Sequence, residues 1–146
     1  MATYQTVTEK DRLVIAPHVE RARRTLAAAE ALAAAGFAAD CVARAHQATV
    51  HGERALLATE KRSPPDARSV HRLATLHFHQ GRVLGTDHLP ALERLGVARA
   101  AVDDQPLGDA TGDAAAEALG TARAFLDDVA AWLTSVGHLA AKGASA

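Results

Sequence analysis

Little in this chain could cross-link it, hold it in a membrane or grip a long polyanion. Cys41 is its only cysteine, so no disulfide forms within the chain and a reducing compartment suits it. No apolar run approaches the ~20 residues a membrane span requires. The first residues, MATYQTVTEKDRL, lack the apolar core of a signal peptide. A cytoplasmic protein with no membrane partner is the expectation. Sixteen Lys+Arg stand against 17 Asp+Glu, a formal net charge of −1. That balance excludes a global positive field for nucleic acid, so any such contact must use a local cluster. Glycine-rich phosphate loops and the strands they would follow are also missing.

What is present is alanine. The hydrophobic fraction is 49% while aromatics are only 3%. Alanine has the best helix propensity, and small side chains let helices approach closely. The expected fold class is all-α, an antiparallel bundle of about five helices. The 146 residues suit one domain. The expected organisation is a lead-in over 1–15, a helical bundle over 16–138 and a frayed tail over 139–146.

Periodicity places the helices. The first is expected near Pro17, with Val19, Ala22, Leu26, Ala29 and Ala33 as its apolar seam. Gly36 should end it in a left-handed turn that folds Phe37 back toward Leu32. The second runs from about Ala38 to Lys61. Its seam of Cys41, Ala45, Ala48, Gly52, Ala55 and Thr59 is small throughout and implies a close neighbour. Pro64 and Pro65 break the pattern. A third helix is expected over Ala67 to Gln80 and a fourth from Pro90 to Val102, capped by Thr86 or Asp87. After a loop from Asp103 to Gly112, Asp113 should cap the last helix.

The polar residues suggest where chemistry could lie. Arg44, Gln47, His51 and Arg54 share one strip of the second helix, a pattern suited to phosphate or carboxylate and equally to a solvated face. Arg99 rises among Leu92, Leu95 and Val102, so it should either pair with Asp103 or lie at an opening that supplies a counter-charge. The eight histidines show no metal-ligand spacing. His77 and His79 point apart on a helix, His46 and His51 share no face, and neither Glu-x-x-His nor His-Glu-x-x-His occurs. His77 reads as a core residue and the others as exposed, with no metal and no cofactor expected. Cys41 reads as an inert buried thiol.

The second helix, Arg44-Ala45-His46-Gln47-Ala48-Thr49-Val50-His51-Gly52-Glu53-Arg54-Ala55-Leu56-Leu57, resembles the central helix of HEPN proteins (higher eukaryotes and prokaryotes nucleotide-binding). In that pattern Arg44, Ala45, Ala48, His51, Arg54, Ala55, Leu56 and Leu57 match in place. His46 and Gln47 replace paired tyrosines, and Val50 replaces a phenylalanine. Segments Ala29–Ala45, Leu73–Gly81 and Leu92–Asp104 are similar to the neighbouring family helices in order and spacing, as is the final amphipathic helix.

The resemblance implies an arginine followed four to six residues later by a histidine in the RNA-cleaving members. Arg99 matches the arginine, but Ala100 to Pro106 contains no histidine, and Asp104 stands where a degenerate tyrosine is common. Aspartate is a poor substitute for a near-neutral acid/base. The resemblance therefore implies a homodimeric nucleotide-, RNA- or partner-binding protein without ribonuclease activity. A minimal nucleotidyltransferase in a toxin–antitoxin or defence system is its implied partner. Arg44, Gln47, His51, Arg54, Arg99 and Asp103 are the expected ligand-binding residues. Two alternatives stay open. One is an active ribonuclease toxin whose acid/base is recruited from elsewhere, His51 or His46 across the dimer; the other is a small-molecule or metal-binding bundle.

Overall fold

A computed structural model describes residues 7–104 and 110–140. Among these, every regular element is helical: α1 (Glu9–Ala34), α2 (Ala38–Ala58), α3 (Ala67–Ala74), a π-helical turn (Thr75–His79), α4 (Leu89–Asp104) and α5 (Gly112–Ser135). The expected all-α bundle is therefore present, and no described helix is long and apolar enough to cross a membrane.

Local chemistry explains the boundaries. Helix α1 starts at Glu9, well before Pro17, because Thr8 and Asp11 form a reciprocal capping box. Pro17 then sits inside the helix and leaves the Leu13 carbonyl without its usual donor. Leu13 is 70% exposed, so water can satisfy that carbonyl. At the other end Gly36 has φ +89°. Gly36 N–H donates to Ala33 O at 3.1 Å and Phe37 N–H to Leu32 O at 2.8 Å, the paired bonds of a Schellman stop. The backbone folds back as expected, while the Phe37 ring remains 55% exposed.

Other ends follow the same logic with different residues. Asp66 caps α3 by accepting from Ser69 N at 2.8 Å. Asp87 accepts from Leu89 N at the start of α4. Thr111, and not Asp113, caps α5, its hydroxyl accepting from Ala114 N; Asp113 lies in the first turn, where its charge complements the helix dipole. Of the expected loop, residues 105–109 lie outside the described residues, as do 1–6 of the lead-in and 141–146 of the tail.

Helix α2 is the centre of the bundle and packs against α1, α3, α4 and α5. Its small seam is consumed inside the chain: Cys41, Ala45, Ala48, Gly52 and Ala55 are all buried. Gly52 permits a close approach, since a Cβ there would lie 2.6 Å from Leu126 Cδ2 and 3.0 Å from Phe125 Cε2. The core has two parts. Small residues dominate one, where Ala29, Cys41, Ala45, Ala115, Ala118 and Ala122 meet Leu95. The other is bulky, built from Ile15, Leu56, Leu57, Phe78, Phe125 and Leu133.

Candidate functional site

The third predicted helix does not continue to Gln80 as an α-helix. From Thr75 the bonding widens, and Gln80 N–H donates to Thr75 O at 2.9 Å, five residues back. Two α turns take about seven residues, and a π turn adds roughly one more. Eight residues then complete two turns, which brings His71 and His79 onto one face. That face meets the middle of α2 at Glu53.

Glu53 is 2% exposed. Its Oε2 lies 2.8 Å from His71 Nδ1 and 2.9 Å from His79 Nε2. The three atoms fall within 4.8 Å of one another. Burial would push the Glu53 carboxyl up, but hydrogen bonds and positive charge from His71 and His79 outweigh it and hold Glu53 below its ordinary range. The bond to Glu53 raises His71 despite partial burial. Behind His71, Glu93 Oε1 stands 3.8 Å from Nε2. Phe125 forms the floor, with ring centroids 5.6 Å from His79 and 5.5 Å from His88. His88 in turn bonds Asp128 at 2.6 Å.

These positions correct the sequence reading of the histidines. His79 and His88 are buried, while His77 is half-buried and faces Glu60 at 3.5 Å. The extra residue of the π turn explains the exchange between His77 and His79. A signal for Glu53 did exist: Val42, Thr49, Glu53 and Leu56 follow helical spacing and are all buried, a second face of α2 beside the small seam.

The residues expected to share one strip are divided among separate surroundings. Arg44 donates to Gln47 at 2.9 Å, both exposed. Arg54 donates to Pro64 O at 2.8 Å. His51 is turned toward α1; burial first, then Arg21, Arg54 and His18, depress its pKa, and its Nε2 is buried without a hydrogen-bond partner among the described residues. His18 is likewise depressed by burial and by Arg54. Arg99 pairs with Asp103 one turn on, while its Nε is buried and has no hydrogen-bond partner among the described residues. Its charge acts on His46, which burial and then Arg99 hold below the ordinary imidazole range. Arg99 is thus not joined to the His51/Arg54 group.

That group adjoins a cleft of about 740 Å³ lined by Lys10, Asp11, Val14, His18, Lys61 and Arg62, with Thr8, Ala58 and Ser63. Arg62 is partly neutralised by Glu60 at 3.3 Å. Lys10 and Lys61 form no ion pair with a described carboxylate. Sequence reasoning missed both lysines because they come from opposite ends of the α1–α2 hairpin's chain length and only the fold brings them together.

No curated protein and no solved structure matches the chain significantly. A family model, HEPN domain, matches residues 16–132. That match takes in α2, α3 and α4 whole, most of α1 and α5, and the π turn between α3 and α4. The chain belongs to the HEPN domain family.

Proposed function

We propose that the protein binds a phosphate-bearing ligand, a nucleotide or a short RNA, on the cationic side of its α1–α2 hairpin and does not cleave it. The cleft carries this reading. Its volume of about 740 Å³ falls within the usual range for small-molecule sites. Lys10, Lys61 and Arg62 offer charge-assisted donors to phosphate, and His18 adds an imidazole. Behind them Arg54 and His51 extend the positive side, and the unpartnered His51 Nε2 has capacity for one more contact. Family membership supplies the nucleotide or RNA class.

The absence of cleavage rests on Arg99. Its charge is committed to Asp103, and residues 100–104 supply no imidazole beside it. Arg44, Gln47, Arg99 and Asp103 remain as surface for RNA or for a protein partner, for which a minimal nucleotidyltransferase of a toxin–antitoxin or defence pair is the proposed identity. The proposed homodimer must use a face other than the small seam of α2, which is already filled by α1 and α5.

The test is a calorimetric titration of ATP and an anisotropy titration of labelled single-stranded RNA. Replacing Lys10 and Lys61 together by Ala should weaken binding about tenfold or more, roughly 1.4 kcal/mol per decade, and flatten its salt dependence. Equal binding by this double variant, or no binding by the parent protein, would reject the cleft. Cleavage of RNA by the homogeneous protein, abolished in His51→Ala, would instead establish the ribonuclease alternative.

A further inference from the structure

We propose that Glu53 Oε2, His71 Nδ1 and His79 Nε2 form a binding site for one divalent transition ion of zinc-like softness. Two imidazole nitrogens and one carboxylate oxygen converge within 4.8 Å, and this is the donor set that borderline ions such as Zn²⁺ favour. At Zn–N and Zn–O distances of about 2.0–2.2 Å, tetrahedral ligand atoms lie roughly 3.3–3.5 Å apart. The nitrogen–oxygen spacings of 2.8 and 2.9 Å would therefore open by about half an ångström, while the two nitrogens, within 4.8 Å of each other, would settle at the same separation.

Three further observations point from a mere buried ion pair to a ligand site. First, both nitrogens converge on the same oxygen, so the three donor atoms face one point that a single cation could occupy. Secondly, a carboxylate and an imidazole each 2% exposed at the side chain are costly to hold in a core, where apolar residues of similar volume often serve stability as well or better. Thirdly, Glu93 faces the far nitrogen of His71, the position of the outer carboxylates that orient metal-binding histidines and strengthen them as ligands. The π turn is what aligns His71 with His79, and such turns are frequent at functional sites. His71 is 33% exposed on its side chain, which leaves an approach from solvent. Ion binding would fasten α3 and the π turn to α2. The site shares no residue with the phosphate cleft, so either can stand without the other.

Chelator-treated protein without a polyhistidine tag should be titrated with CoCl₂ alone and followed by its visible d–d absorption, with Zn²⁺ added in competition. The expected result is one ion per chain with a low-symmetry, intense Co²⁺ spectrum that Zn²⁺ abolishes. His79→Ala and His71→Ala should each lower Co²⁺ affinity by at least about tenfold, and Glu93→Gln by about tenfold. Circular dichroism checks that each variant is folded. Glu93 is exposed, so its substitution supplies a folded variant even if the histidine replacements do not. Sub-stoichiometric uptake by the parent protein overturns the proposal. So does unchanged affinity and spectrum in folded His71→Ala or, failing that variant, in Glu93→Gln.

Discussion

The two parts of the core are built on opposite principles. In one, alanines and Cys41 bring α1, α2 and α5 close together. In the other, Phe78, Phe125 and Leu133 supply large side chains, and the buried polar groups Glu53, His79 and His88 sit against that bulk. Small residues fix distance between helices but have little chemistry to offer. The large side chains pack beside imidazoles and a carboxylate, with the Phe125 ring against both His79 and His88.

The contrast can be broken most forcefully at Phe125, which is 0% exposed and touches both halves of the polar cluster. Phe125→Ala should destabilise the protein by about 3–5 kcal/mol in denaturant unfolding. A cost below ~1 kcal/mol would mean that the bulky half collapses around the deletion. Gly52→Ala probes the border between the halves. Its added methyl must displace Leu126 or the Phe125 ring, and a loss of about 1–3 kcal/mol by overpacking is expected. In the small half, Cys41→Ala removes one sulfur whose nearest polar contact is a 4.0 Å approach to Ala115 O. About 1 kcal/mol should be lost there, and thermal unfolding of the three variants would rank the regions.

A smaller effect should appear with pH. His18 and His51 have folded pKa values below the ordinary 6.5, chiefly because of burial. The folded state therefore binds fewer protons than the unfolded chain. Their contribution is present above pH 6.5 and is lost as pH falls through the depressed folded values. The melting temperature should decline on acidification from neutrality, and less so in the His18→Gln/His51→Gln double variant. An identical slope in that variant would assign the decline to other groups.

Much of the scaffold was legible in the sequence because the signals were local. Gly36 announced its turn, the alanine seam of α2 announced close packing, and the spacing of Ala115, Ala118, Ala122, Phe125 and Val129 announced the buried side of α5. The start of α1 was misplaced because Pro17 looks like a first-turn residue, whereas the Thr8–Asp11 box captures the chain earlier. The histidine cluster escaped for a different reason. Its geometry depends on one extra residue in the turn after Ala74, and no residue type marks a π turn as glycine marks a left-handed one. Regular helical spacing therefore sent His77 inward and His79 out. Arg99 was legible as far as its alternatives went, and the structure shows the pairing with Asp103 together with a buried Nε that has no partner among the described residues.

The stop after α2 has its left-handed residue at Lys61, φ +58°, where glycine is the usual occupant. An L-residue in that conformation carries a steric penalty of about 1 kcal/mol, which this end of the hairpin bears with a lysine that lines the cleft. Glycine at this corner should make the fold sturdier and the neighbouring cavity less attractive to anions, so Lys61→Gly separates endurance from recognition at a single position.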